Sequence, residues 1–395
     1  MLPGSVRARF RRALPLLGGV LLLAGCGPQA EPAKPPGPPP PPPRTTWPMT
    51  RGGAALSGVV ARTAPARPTV LWTFTSPAPF SAEAAIAHGR VYVGNDKGRL
   101  HCLDAETGRE LWHFNTEDTI AAAPAVTATR VFVSSHDGRL YALDAATGQE
   151  AWKFATDQKV SSGATLVRSP QGNEDWVLLN GYDGTTRVLR AADGTTVWTY
   201  ATEDHVNGAP AVVDGRFIVF GGCDAQLHVV QLADGKLAHR IPAEAYIPAS
   251  IGTGGTMAFC GNHANQVIAF DVPAGKVAWT YQDRAMPFYS SPAVTADLVL
   301  IGSRDKHLHA IRRATGEAAW KFRTGGRVEA SPIAFTDAVV FASTDGRLYA
   351  AALADGSERW QLELGEALIA SPAFGEDLLV VGGEKGTLFA LRGPP

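Results

Sequence analysis

The sequence predicts an all-β fold, a ring of eight four-stranded antiparallel blades, and three observations predict it. A tryptophan recurs at Trp72, Trp112, Trp152, Trp198, Trp279, Trp320 and Trp360, and His239 fills the one gap, at intervals of 40, 40, 46, 41, 40, 41 and 40 residues. Each of these positions closes a similar phrase, as in "RLHCLDAETGRELW" (99–112) and "RLYALDAATGQEAW" (139–152). Glycine is abundant, 42 in 395 residues, against a usual ~7%, as many short strands joined by tight turns require. A period of about 40 residues with four strands is the blade unit of a β-propeller, and one blade cannot bury both faces without neighbours.

The chain begins with an address. Residues 1–25 hold Arg7, Arg9, Arg11 and Arg12, then the apolar run "ALPLLGGVLLLAG", which has the order of a secretory signal and is short for a membrane span. Cys26 closes "LAGC" (23–26). That ending resembles a bacterial lipobox, and the resemblance implies cleavage before Cys26 and lipidation on it. More than one acyl chain gives stable anchoring, at about 0.8 kcal/mol per buried CH₂. The alternative is a plain secretory signal with Cys26 unmodified. Residues 26–46 then form a linker with ten prolines after the cysteine, a polyproline-II spacer of roughly 60 Å at about 3.1 Å per residue. The folded domain is expected over 47–395.

Within a unit the pattern is regular. "AAAPAV" (121–126), "RVFVSS" (130–135), "RLYALD" (139–144) and "QEAWKF" (149–154) read as four strands. The links "HDG" and "ATG" supply the glycines that such turns favour. The long interval holds an insertion, "VRSPQGNED" (167–175). The strand "VLWTF" (70–74) has no three strands before it, and the C-terminus has three strands with no fourth. The first strand is therefore expected to complete the last blade and close the ring, which removes open edges.

Composition excludes some functions. Lys+Arg number 36 and Asp+Glu 37; without the four signal arginines the count is 32 against 37, a net charge of −5. A mildly acidic domain with no basic stripe is a poor nucleic-acid binder. Beyond Cys26 there are three cysteines, Cys102, Cys223 and Cys260. Cys102 aligns with Ala142 and reads as a small buried residue; Cys223 and Cys260 stand at non-equivalent positions, and a bridge needs Cα atoms within about 7 Å.

The phrase Asp-x-x-Thr-Gly followed by tryptophan resembles the tryptophan-docking repeat of the pyrroloquinoline-quinone (PQQ) propeller superfamily, and the opening "WPMTRGG" (47–53) is similar to the start of many such chains. The resemblance covers residues 47–395. It implies that the eight closing residues, Trp72, Trp112, Trp152, Trp198, His239, Trp279, Trp320 and Trp360, dock neighbouring blades. The superfamily contains quinone-dependent dehydrogenases and also lipoprotein propellers without a cofactor. The BamB-type subunit of the outer-membrane β-barrel assembly machinery is among the latter. The chain resembles it in plan: lipobox, linker, one propeller.

Residues decide between these classes. The dehydrogenases generally carry a vicinal disulfide, a Trp under the quinone, a Ca²⁺ held by carboxylate and amide oxygens, and a catalytic Asp. Here no Cys-Cys pair occurs and one nine-residue insertion is the sizeable one. A hard cation wants six or so converging oxygens. Aligned first strands put Glu83, Asn207 and Glu329 as candidates for a channel mouth, where the plainer reading is solvated polar residues. His101, His228 and His309 all lie eleven residues before a closing position, where Tyr141, Arg187, Ile268 and Tyr349 stand in other units. That is a slot for a large side chain, without zinc spacing. Asp104, Asp144 and Asp271 are expected to bond the turn that follows them.

The expectation is thus a non-enzymatic scaffold with no catalytic, cofactor or metal residues. It is anchored in the bacterial envelope, its partner a protein such as the β-barrel assembly machinery. Gly27, in place of an aspartate after the lipidated cysteine, implies the outer membrane by the enterobacterial sorting rule. The alternatives are a quinone-dependent dehydrogenase or its quinone-binding remnant, and a ligand-sensing propeller.

Overall fold

The computed structural model describes residues 45–283 and 286–394. The lipidation expected at Cys26, the signal and the linker up to residue 44 lie outside the described residues. No helix among the described residues is long and apolar enough to cross a membrane.

Eight four-stranded antiparallel sheets make the ring. We number the blades by chain order from residue 85 and letter their strands a to d from the axis outward. In blade 2 these are Ala125–Val126, Arg130–Ser135, Arg139–Asp144 and Glu150–Ala155, close to the spans the sequence indicates. Blade 8 takes strands a to c from Ala373–Gly375, Leu378–Gly382 and Thr387–Arg392 and its outermost strand from Thr69–Thr75. The ring is closed by that N-terminal strand, Thr69 facing Arg392 and Thr75 facing Thr387. The insertion at 167–175 lengthens one hairpin, pairing Thr165–Arg168 with Asp175–Asn180.

Strands b and c are buried along their length, whereas strand d alternates. The core therefore lies between blades: one cluster joins Tyr92 and Cys102 of blade 1 to Val131, Tyr141 and Leu143 of blade 2. Cys102 and Cys260 are buried free thiols and Cys223 is a half-buried one.

Every c–d pair carries a register shift beside the repeated aromatic position. In blade 1 Cys102 pairs with Trp112 and Leu103 with Glu110, so Leu111 is skipped; blade 2 repeats this at Trp152 and blade 4 at His239. A bulge adds local twist and re-aims a side chain. Here the indole leaves the sheet toward the next blade: Trp112 Nε1 donates to Ala145 O at 3.2 Å and Trp152 Nε1 to Ala191 O at 3.2 Å. The same contact is made by Trp72, Trp198, Trp279 and Trp320. Trp360 instead donates to Pro65 O at 2.9 Å, because the N-terminal segment supplies the missing turn there. His239 occupies its slot against Gly275. The aspartates of the repeated phrase hold the turn they were expected to hold: Asp144 Oδ1 accepts from Thr147 N at 2.9 Å and from its hydroxyl at 3.0 Å.

Residues 45–62 make a belt that the repeat does not foretell. Glu376 N donates to Thr45 O, Ile86 N to Trp47 O, Val126 N to Pro48 O, Val212 N to Ala54 O, Thr253 N to Ala55 O, Val294 N to Ser57 O, Ala334 N to Gly58 O and Thr336 N to Arg62 O. The segment visits the ends of the a strands in ring order, blades 8, 1, 2, 4, 5, 6 and 7. In blade 3 it presses the Thr50 hydroxyl where Gly163 has no Cβ. These bonds satisfy backbone groups that the short a strands leave unpaired.

Candidate functional site

The belt stoppers one end of the axis and leaves a funnel at the other. Its space, about 180 Å³, is lined by Thr50, Arg51, Ser81, Glu83, Ser161, Asn207 and a run of alanines, glycines and serines. Small residues recur because eight strands converge here. Three of the serines also stitch blades together: Ala209 N donates to Ser250 Oγ, Ser291 N to Ser331 Oγ and Ser331 N to Ser371 Oγ, each at 2.9 Å.

The floor is an acid–base pair. Arg51 sits in a short turn, Thr50–Gly52, with φ of 56°, and is 2% exposed. Its Nη2 donates to Pro332 O and, at 3.5 Å, to Pro292 O, so the guanidinium crosses the axis to blades 6 and 7. Gly58 is required beneath it, since a Cβ there would fall 1.9 Å from Nη2. Glu83, 8% exposed, accepts from Trp47 Nε1 at 2.5 Å and from Arg51 N at 3.2 Å. Burial pushes the Glu83 carboxyl up to about 7 against the opposing pull of Arg51, and burial lowers Arg51 to about 10. Desolvation outweighs the mutual attraction in both.

Of the three candidate mouth residues, the structure places two in the funnel. Asn207 lines the wall, its Nδ2 3.4 Å from Cys223 Sγ. Glu83 lies at the floor rather than at the mouth. Glu329 is drawn away by an ion pair with Arg304, with Arg327 at 3.8 Å, and does not meet the other two. Sequence alignment of the strands missed Arg51 entirely. Its signal was the motif "WPMTRGG", whose tryptophan bonds Glu83 and Ile86 of blade 1 and whose arginine crosses the axis to Pro292 and Pro332.

A rim of aromatic and basic side chains stands on blades 3 to 6. Tyr182 stacks on His205 at 4.5 Å and Tyr246 on His263 at 4.1 Å. His263 Nε2 bonds Tyr289 Oη, Arg304 covers the Tyr289 ring at 4.0 Å and Lys159 covers Tyr182 at 4.2 Å. All but the exposed Lys159 are half-buried, and Met286, three residues before Tyr289, is exposed.

The histidine slot is explained by its hairpin. Tyr141 bonds Asp137 at 2.8 Å, Tyr349 bonds Asp345 at 2.8 Å, His228 bonds Asp224 at 2.6 Å, His309 bonds Asp305 at 3.1 Å and Arg187 bonds Asp183 at 2.5 Å. Each aspartate stands four residues ahead of its partner. Where the slot holds Ile268 or Phe389, the residue four before is Ala264 or Lys385. His101, preceded by Lys97, takes Glu110 instead at 2.7 Å. Asp283, Asp305 and His309 gather closely enough to suggest a metal. However, both ring nitrogens of His309 are already engaged, Nε2 with Asp305 and Nδ1 with Tyr281 Oη, each at 3.1 Å. Lys321 also pairs with Asp283.

The funnel does not fit a quinone with its calcium. Glu83 is the one carboxylate among the described lining residues, and it is engaged by Trp47 and Arg51. The rest of the wall offers hydroxyls, one amide and small apolar groups, short of the oxygen set that Ca²⁺ takes.

Comparison with solved structures supports the architecture. The chain superposes on a computationally designed protein, Ika8, with a TM-score of 0.71 at 17% identity, covering 82% of this chain and 99% of that one. It superposes on BamB from Moraxella catarrhalis with a TM-score of 0.67 at 18% identity, covering 82% and 99%. A quinohemoprotein alcohol dehydrogenase from Comamonas testosteroni gives 0.73 at 14% identity, covering 89% and 82%. At such identities these likenesses establish the fold alone. No curated protein matches the sequence significantly. The family model described as outer membrane protein assembly factor BamB matches residues 56–180, 182–289 and 264–393, nearly the whole ring, and the chain belongs to that family.

Proposed function

We propose that this protein is a cell-envelope scaffold with a BamB-like role in outer-membrane protein assembly, lipid-anchored through Cys26 and facing the periplasm. The observation that carries the reading is the family match across the ring. The stoppered axis supports it, since Glu83, the one carboxylate among the described lining residues, is engaged by Trp47 and the Arg51 backbone.

Function then resides in loops held by a rigid ring. The rim of Tyr182, His205, Tyr246, Tyr289 and Arg304, with exposed Met286, has the aromatic and arginine character of binding hot spots. A protein partner is engaged there, on the face opposite the belt. Crosslinking from these positions in native membranes should recover a subunit of the β-barrel assembly machinery, and Tyr289→Ala together with Arg304→Ala should cut the yield more than tenfold. Recovery of no such subunit would sink the assignment of partner.

A further inference from the structure

The guanidinium of Arg51 has no acid in contact with it. Glu83 touches the Arg51 backbone N and Trp47, not the guanidinium, and Nη2 is spent on two carbonyls. Arg51 Nε and Nη1 and the Thr50 hydroxyl are buried without any protein partner. A buried cation that keeps unpaired N–H groups carries an uncompensated desolvation cost. Both residues line the funnel, where the neighbouring groups are seryl hydroxyls and the Asn207 amide, and where Arg51 and Glu83 are the charged side chains among the described lining residues.

We propose that the floor of the axial funnel is a site for a small oxyanion, a carboxylate or a phosphate, held by the Arg51 guanidinium with the Thr50 hydroxyl and the serine hydroxyls around it. Charge-assisted N–H···O and O–H···O bonds are the interactions this lining can offer. The space of about 180 Å³ admits an ion or the end of a chain rather than a large ligand. The site is independent of the partner-binding role proposed for the rim.

Glu83 couples the site to protons. The charged group acting on it is Arg51, and its other close partner is the neutral Trp47. With Glu83 ionised the pair is neutral and an added anion meets a carboxylate; with Glu83 protonated, Arg51 is left as a lone buried cation. Where Glu83 is ionised, above about pH 7, anion uptake is accordingly accompanied by one proton. Affinity falls about tenfold per pH unit once Glu83 is ionised.

The test uses the exported chain without its signal, with inorganic phosphate and with acetate as probes at constant ionic strength, read by calorimetric titration and by thermal unfolding. Saturable binding at pH 6 that weakens at least tenfold by pH 8 is expected; phosphate binding without acetate assigns a phosphate site, and acetate binding a carboxylate site. Glu83→Gln should remove the pH dependence and keep binding at pH 8. Arg51→Gln should abolish binding. Because that variant also loses its bonds to Pro332 and Pro292, Asn207→Asp, which adds a negative charge at a half-buried wall position, should independently weaken binding more than tenfold. Absence of saturable binding of either probe at pH 6, or binding unchanged in Asn207→Asp, overturns the proposal.

Discussion

The indole of Trp112 lies flat against Gly148 of the next blade: a Cβ on that glycine would fall 2.5 Å from the ring. Gly148 also has φ of 75°, so the same residue meets a conformational and a steric demand. The turn that ends "DAATG" is therefore a dock with two parts, the Ala145 carbonyl that accepts from the indole and the bare glycine face beneath it. Gly108, Gly194, Gly235, Gly316 and Gly356 repeat the arrangement under Trp72, Trp152, Trp198, Trp279 and Trp320.

Two glycines separate the demands. Gly89 has φ of 72° but nothing within 4 Å of an added Cβ. Gly89→Ala should cost only the left-handed penalty, about 1–2 kcal/mol, whereas Gly148→Ala should cost about 3 kcal/mol or more as the indole is displaced. Trp112→Ala, a half-buried aromatic, should cost about 2–4 kcal/mol, at or below the range for fully buried ones. Equilibrium urea unfolding measures all three. Equal effects of the two glycine changes would mean that the indole does not press on the turn.

The acid in the floor makes stability depend on pH. The folded Glu83 carboxyl sits near 7, above its ordinary value of 4.5, so folding favours its protonated form. Its contribution is fully present below about pH 4.5 and is lost as pH rises through about 7. Glu83→Gln keeps an acceptor for Trp47 Nε1 without the charge. Relative to the unsubstituted protein it should gain on the order of 2–3 kcal/mol between pH 5 and pH 8. Unfolding free energies of both proteins at the two pH values give that difference, with the background titration cancelled. A difference that stays flat across the range would show that Glu83 is ionised at an ordinary value.

The slot that holds His, Tyr or Arg should behave as a bonded pair. Tyr141→Phe, Asp137→Ala and the double variant form a cycle, and the Tyr141 Oη to Asp137 bond at 2.8 Å should appear as a coupling of about 1–2 kcal/mol. At Ile268 and Ala264 nature has already made the double exchange. Zinc should leave the thermal midpoint unchanged, because both His309 nitrogens are bonded, to Asp305 and to Tyr281, and Asp283 is paired with Lys321.

These cases show what the sequence could and could not disclose. The ring, its closure by Thr69–Thr75 and the Asp-x-x-Thr-Gly turns follow from a repeat of one local unit, since each blade solves the same packing problem. The bonded partners of the slot were also readable, because the residue four before it changes with it. The belt was not: residues 45–62 have no period, and their bonds span most of the chain, as from Arg51 to Pro332, 281 residues away, and from Arg62 to Asp377, 315 residues away. Glu83 was visible as an acid near the axis, but its burial under Arg51 depends on that aperiodic path. Glu329 aligned with it and yet turned to Arg304, a choice set by a hairpin in the neighbouring blade.

The ring shares its outline with quinone enzymes, and its axis differs from what a quinone needs. Quinone binding near the axis would need room over the strands and a cation coordinated by several oxygens. Here the axis narrows to about 180 Å³ over a floor in which Glu83 is held by Trp47 and by the Arg51 backbone, and freeing that carboxylate would leave an indole N–H and a backbone N–H buried without acceptors, at about 1–3 kcal/mol each. PQQ added with Ca²⁺ to the purified protein should therefore produce no bound chromophore and no dye-linked alcohol oxidation. The measurement is an absorbance titration followed by gel filtration, with activity assayed on the protein fraction. A quinone that co-elutes in stoichiometric amount and drives dye reduction would show that the floor rearranges, and the Trp47–Glu83 contact would then have to be counted as a gate rather than a fixture.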